Sequence, residues 1–227
     1  QVDVSTYKDP WEYGGDTGLK DQKVTIKKIK GMSESSIRGM DISSYFALKK
    51  AGVKYYDYEG NETPLLKVLH DNGINYIRIR IWNDPFNADG ETYGGGGNDV
   101  STGVEIAKEA AKYDMKVLLD FHYSDFWAEP AVQLVPKAWK KDVNNTEKMC
   151  SDVYDFTKES IQKFKDAGAN IGMVQVGNEI TNGLLGIYSN RDKGESFNVI
   201  WGDKKKSTEV NKYLKAGIKA VREYTPQ

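Results

Sequence analysis

A strand–helix alternation repeats four times after Ile37, and it constrains the fold of this 227-residue chain more than any other feature. Strands are predicted at residues 37–42, 74–82, 115–122 and 171–176. A segment with apolar residues at helical spacing separates each strand from the next, and another follows the fourth. Four βα units in series indicate an α/β protein with a parallel sheet, either a doubly wound sheet or a (β/α)₈ barrel of TIM type.

The helices are predicted from their caps and their apolar spacing. Thr63 is expected to cap the first helix, with Pro64 at its first helical position, and residues 102–105 form a candidate capping box for the second. The third helix is about twenty residues long and ends at Gly168. The fourth carries apolar residues at helical spacing over residues 210–221.

Residues 1–36 differ from the rest of the chain. Residues 1–18 are polar and rich in turn formers, and residues 24–29 alternate partly, as an edge strand does. We predict that residues 1–36 form a short N-terminal extension or the end of a small β-module, and that residues 37–227 form the functional domain.

Charge and composition exclude several classes of function. Lys and Arg total 32 and Asp and Glu total 33, and this balance argues against nucleic acid or an anionic membrane as partner. No apolar run approaches the length of a membrane span. The one cysteine, Cys150, can form no internal disulfide, and the two histidines lack the spacing of a metal site. We therefore predict no metal and no cofactor.

The glycine run at residues 94–97 does not indicate a dinucleotide site. It follows Tyr93 in a long loop, and no helix begins directly after it. We interpret the run as a flexible βα loop. A loop whose backbone approaches a ligand is the alternative.

Polar residues accumulate where the predicted strands end. The first strand ends at Asp41, the second carries Arg80, the third ends at His122, and Asn178 and Glu179 follow the fourth. Such groups are costly in a buried parallel strand unless they pair or form a site. Because a barrel keeps its active site at this end of its strands, the pattern favours an active site.

Several of these residues also fit a purely structural interpretation. Arg78 and Arg80 fit an ion-pair network within the sheet. His122 alone would fit a hydrogen-bonded position in the core, but its neighbours Asp120 and Asp125 favour a site.

Glu179 is the strongest candidate for a catalytic group. At the end of a buried strand it is placed to protonate a leaving oxygen. Asn178 beside it can bond the 2-hydroxyl of a sugar, an interaction that strengthens in an oxocarbenium-like transition state. Trp82 and Trp127 lie where a strand becomes a loop, which suits a platform that stacks on sugars.

These residues resemble the retaining (β/α)₈ glycoside hydrolases, and from about Ile37 to the end the chain is similar to glycoside hydrolase family 53. The motifs that carry the similarity lie at residues 38–44, 78–82 and 120–130. The resemblance implies an endo-β-1,4-galactanase that acts on the galactan side chains of pectin (type I arabinogalactan). It also implies a secreted or cell-surface location.

The resemblance implies a role for each matched residue. Glu179 matches the acid/base of the family, and Arg80, His122 and Asn178 match polar residues around the sugar at subsite −1. Positions that line the substrate groove or support the site are matched by Asp41, Trp82, Asp125 and Trp127. Glu129 departs from the family, which usually has aspartate there.

Only about half of the barrel is expected here. A (β/α)₈ barrel takes about 250 residues, and the family's nucleophile is a glutamate at the end of a seventh strand that this sequence does not contain. Retaining hydrolysis needs two carboxyl groups about 5–5.5 Å apart. We therefore predict that the chain alone is inactive and that the missing C-terminal half of the barrel is its partner.

Two alternatives remain open. The first is a retaining β-glycanase of the same clan that acts on mannan, glucan or xylan. The second is a non-catalytic carbohydrate-binding fragment, which the absence of a nucleophile suggests.

Overall fold

The computed structural model describes residues 29–189, 194–195 and 202–225. The chain divides into two units, Gln1–Ser36 and Ile37–Gln227, and the description below concerns the second. The predicted edge strand at residues 24–29 lies, except for Ile29, outside the described residues.

Four parallel strands form the central sheet. They are β1 (Gly39–Asp41), β2 (Tyr76–Ile81), β3 (Lys116–Phe121) and β4 (Ile171–Val176), and their order in the sheet is their order in the chain. A doubly wound sheet reverses its strand order at a switch point. Because the four strands show no reversal, the barrel is the architecture that fits, and the prediction of four βα units is confirmed.

Helices follow the strands. The described α-helices are α1 (Tyr45–Lys50), α2 (Leu65–Asp71), α3 (Val100–Ala111), α4 (Thr146–Asp166) and α5 (Lys204–Tyr224). Two 3₁₀ helices, Lys137–Asp142 and Ile180–Asn182, and a hairpin of β5 (Gly183–Leu184) and β6 (Ile187–Tyr188) lie in the loops. No described helix is both long and apolar enough to cross a membrane.

Both predicted helix starts are wrong in detail. The hydroxyl of Thr63 donates to carbonyl and carboxylate oxygens of the preceding turn, and Pro64 takes the N-cap position of α2. Helix α3 begins at Val100, because the Asp99 carboxylate accepts the Thr102 backbone N–H at 2.8 Å and caps the helix. Helix α1 was not predicted, since it is too short to show a periodic pattern.

Strand β2 separates apolar from charged side chains. Ile77, Ile79 and Ile81 are fully buried in the core that packs against the helices. Arg78 and Arg80 alternate with them and lie on the opposite face of the sheet. The alternation therefore places the apolar core on one face and the charged groups of the site on the other.

Helix α5 approaches the sheet closely at Gly217. A Cβ atom there would lie 2.6 Å from Val176 Cγ1 and 2.7 Å from Tyr123 Oη. We expect Gly217→Ala to lower the free energy of unfolding by about 1–3 kcal/mol through overpacking, although alanine is the better helix former. Urea unfolding measures the change. Gly202→Ala is the control, because a Cβ at Gly202 meets no atom of the described residues within 4 Å. Equal effects of the two substitutions would contradict the prediction.

Candidate active site

Arg78 joins polar groups from all four βα units. Its Nη1 donates to Asp41 Oδ2 at 2.7 Å, and its Nη2 donates to Asp120 Oδ2 at 2.6 Å and to Asn178 Oδ1 at 3.0 Å. Arg78 therefore lies in an ion-pair network, as its structural interpretation predicts. Partial desolvation disfavours the Asp41 carboxylate, but hydrogen bonds from Ser43 and Arg78 outweigh it, and the pKa of Asp41 is lowered.

His122 is held as one neutral tautomer. Its Nδ1 accepts hydrogen bonds from Trp82 Nε1 and from the backbone N–H of Ala128, each at 3.1 Å. Because both partners can only donate, the proton lies on Nε2, which donates to Asp120 Oδ2 at 3.0 Å. His122 and Asp120 are buried. His122 therefore connects the Arg78 network to the loop after β3, and both of its ring nitrogens already have partners.

The two predicted tryptophans differ in exposure. Trp127 is 43% exposed and its ring lies 4.2 Å from the guanidinium carbon of Arg80, which supports it by a cation–π contact. Trp82 is fully buried and donates to His122. Of the two rings, Trp127 is the one that can stack on a sugar in this arrangement. Trp82 was expected either to line the substrate groove or to support the site, and its burial fits the supporting role.

Arg80 is itself nearly buried, at 9% exposure. Its Nη2 donates to the Gly95 carbonyl oxygen at 2.7 Å, and its backbone N–H donates to Ser43 Oγ at 2.9 Å. Loss of hydration lowers the pKa of the guanidinium. Arg80 thus packs against one face of the Trp127 ring and supports it.

The glycine run lies in a βα loop, as predicted, and packs against these side chains. All four glycines have positive φ, between 59° and 103°. A Cβ on Gly95 would lie 2.8 Å from Trp82 Cη2, and one on Gly96 would lie 2.5 Å from Asn98 Oδ1. The loop therefore needs glycine for its conformation and for the space that it occupies.

Glu179 follows β4 in a left-handed backbone conformation, with φ 48° and ψ 43°. Its side chain is exposed, and no side chain among the described residues hydrogen-bonds its carboxylate. The neighbouring Asn178 is nearly buried: Oδ1 accepts from Arg78 and from Gln175, and Nδ2 donates to the Ala128 carbonyl oxygen at 2.8 Å. Asn178 thus anchors the turn from which the Glu179 carboxyl projects.

Asp125 does not join this network. Its Oδ1 accepts the backbone N–H of Asp84 at 3.1 Å and its Oδ2 that of Lys137 at 2.7 Å, so it ties the loops after β2 and β3 together. Desolvation raises its pKa, although the two backbone hydrogen bonds oppose the change. The geometry fits the site-supporting role among those predicted for Asp125.

Gln133 is a residue of the site that the sequence analysis did not identify. Its side chain is buried, and its amide donates to backbone carbonyl oxygens of Asn178 and Glu179. It lies in an irregular loop without a recognisable motif, so no pattern in the sequence points to it. Within the described part of the chain, no group of three or more His, Cys, Asp or Glu side chains could hold a metal ion.

The fold and the polar network together define a class of protein. A parallel sheet in chain order, with its charged groups at the carboxyl ends of the strands, is the beginning of a (β/α)₈ barrel of the α/β class. Glycosyl hydrolase family 53 matches residues 37–227, and the chain belongs to this family.

Relatives and solved structures agree with this assignment. The chain is 47% identical over 168 residues to an endo-β-1,4-galactanase of Bacillus subtilis, a match that covers 74% of this chain and 39% of the relative. It is 36% identical over 148 residues to an arabinogalactan endo-β-1,4-galactanase of Humicola insolens, a match that covers 65% of this chain and 41% of the relative. The family 53 catalytic domain of Ignisphaera aggregans superposes with a TM-score of 0.78 at 37% identity, covering 90% of this chain and 52% of that one. The chain therefore spans between about two fifths and half the length of these proteins.

Proposed function

We propose that the full-length protein is a retaining endo-β-1,4-galactanase that cleaves the galactan side chains of pectin. The observation that carries the proposal is the turn at Asn178 and Glu179, which the Arg78 network anchors at the carboxyl end of β4. The 47% identity to the Bacillus subtilis endo-β-1,4-galactanase supports the choice of substrate. A polymeric pectin substrate also fits a secreted or cell-surface location, which is part of the proposal.

In this proposal Glu179 acts twice. It first donates its proton to the glycosidic oxygen while a second glutamate, outside this chain and in the other half of the barrel, attacks the anomeric carbon. The glycosidic bond breaks and a covalent glycosyl-enzyme forms. Glu179 then removes a proton from water, which attacks the same carbon and releases the sugar with its configuration retained.

Other residues of the site bind and orient the sugar. The exposed ring of Trp127 stacks on a sugar, with Arg80 fixed beneath it. Asn178 has a second Nδ2 hydrogen without an acceptor among the described residues, and this hydrogen is available to the 2-hydroxyl at subsite −1. Arg80 and His122 are buried and shape the subsite mainly by holding its other residues.

A substrate panel tests the proposed function. We expect the full-length protein to hydrolyse β-1,4-galactan at least about a hundredfold faster than β-1,4-glucan, mannan or xylan, because a site that bonds the hydroxyls of one sugar rejects another. Proton NMR should detect the β-anomer as the first product. Faster hydrolysis of another polymer would support a different β-glycanase, and binding of galactan without hydrolysis would support the carbohydrate-binding alternative. Residues 1–227 alone are expected to be inactive.

A further inference from the structure

The side-chain amide of Gln133 contacts both peptide groups that flank the Cα atom of Glu179. Gln133 is 1% exposed. Its Nε2 donates to the Asn178 carbonyl oxygen at 2.9 Å and lies 3.4 Å from that of Glu179. It also donates to the Glu129 carbonyl oxygen at 3.1 Å. One buried amide thus joins the loop after β3 to the turn after β4.

These contacts act on a conformation that is unfavourable by itself. A left-handed backbone costs a residue other than glycine about 1–2 kcal/mol, and Glu179 has φ 48° and ψ 43°. Such a conformation persists where the surroundings determine it. φ and ψ of Glu179 set the orientation of the two flanking peptide groups relative to each other. An amide that hydrogen-bonds the first carbonyl group and contacts the second therefore restrains both angles.

Backbone hydrogen bonds hold the segment that carries Gln133. Glu129 and Val132 exchange backbone hydrogen bonds of 2.9 and 3.0 Å and close a tight turn directly before it. The carbonyl oxygen of Gln133 accepts the Gly186 backbone N–H at 2.6 Å, which ties it to the segment after Glu179 as well. The restraint on Glu179 therefore comes from a part of the loop that is itself held by backbone hydrogen bonds.

We propose that Gln133 is a positioning residue for the acid/base: its amide holds the left-handed backbone of Glu179 and so directs the carboxyl toward the glycosidic oxygen. This inference rests on the proposed function of Glu179. A leucine at this position would fill a similar volume without donating a hydrogen bond, and it would leave the carbonyl groups of Asn178 and Glu179 without this partner.

The test is Gln133→Leu in the full-length protein, assayed on two substrates. We expect kcat/KM on β-1,4-galactan to fall about 10- to 100-fold, because a small displacement of a catalytic group costs a rate of this order. An aryl β-galactoside with an activated leaving group needs little protonation, so its kcat/KM should fall less than about threefold. Gln162→Leu is the matched control and should change neither value, since Gln162 is exposed and its side chain bonds Asp166 alone among the described residues.

A crystal structure of the variant gives a second measurement that does not depend on activity. We expect Glu179 to leave the left-handed region in Gln133→Leu. Unchanged φ and ψ, unchanged kinetics, or an equal loss on both substrates would overturn the proposal.

If Gln133→Leu does not fold, Gln133→Asn is the second variant. It keeps the amide, but its side chain is one methylene shorter and holds the amide away from the carbonyl groups, so it should show the same difference between the substrates. A wild-type protein inactive on both substrates would refute the proposed function, and the structure of the variant would still decide whether Gln133 holds Glu179.

Discussion

Glu179→Gln in the full-length protein is expected to lower kcat/KM on β-1,4-galactan by about 10²- to 10⁴-fold, which is the usual contribution of a general acid. Glutamine keeps the size of the side chain but cannot donate a proton to the leaving oxygen. An aryl β-galactoside with an activated leaving group should lose far less, because its leaving group departs without full protonation. The comparison needs only initial rates on the two substrates.

Azide provides a second measurement for this variant. With an activated substrate the glycosyl-enzyme still forms, but its hydrolysis slows because water has lost its general base. Azide needs no general base, so it should accelerate turnover and yield a β-galactosyl azide. Glu105→Gln is a suitable control, since Glu105 is exposed on α3 and, within the described part of the chain, pairs with Lys108 alone. An equal loss on galactan and on the aryl substrate, without azide rescue, would mean that Glu179 is a structural residue.

The course of the sheet could be predicted because it depends on patterns along the chain. Strand β4 begins and ends at the predicted residues, and the other three strands lie within their predicted ranges. Isoleucines and arginines alternate along β2, and the structure buries the isoleucines on one face of the sheet. Helix starts were less predictable. Asp99 rather than Thr102 caps α3, because the choice between two possible caps depends on where the preceding loop places each side chain.

Positions in the candidate site could be predicted where residues follow strands, and less well where they lie in loops. The carboxyl ends of parallel strands meet at one edge, so Asp41, His122 and Asn178 could be expected together, and Arg78 and Asp120 do connect them. The burial of Trp82 could not be predicted, because it depends on the glycine run that folds over it. The place of Gln133 could not be predicted, because it depends on contacts with two residues that lie 45 and 46 positions further along the chain.

Asp120→Asn is expected to destabilise the full-length protein by about 1.5–3 kcal/mol, the usual contribution of a hydrogen bond to a charged group. Asp120 is fully buried, and its Oδ2 accepts hydrogen bonds from both Arg78 and His122. The oxygen of an asparagine in the place of Oδ2 can still accept from both donors, but it carries no charge to attract the guanidinium. The amide nitrogen takes the place of Oδ1, which is buried without a hydrogen-bond partner among the described residues. Urea unfolding of wild type and variant measures the difference, and Asp166→Asn, at an exposed position in α4, is the control.

Asp41 makes this prediction specific, because it pairs with the same arginine. The Asp41 side chain is 32% exposed, whereas that of Asp120 is fully buried. A solvated ion pair contributes about 1 kcal/mol or less, so Asp41→Asn should destabilise the protein much less than Asp120→Asn, although the two pairs have similar lengths. If the two substitutions cost the same, burial would not determine the strength of the network. Asp120 also accepts the hydrogen bond from His122 Nε2. Only Asp120→Asn should therefore also weaken galactan hydrolysis, because an amide oxygen holds the imidazole less strongly than a carboxylate does.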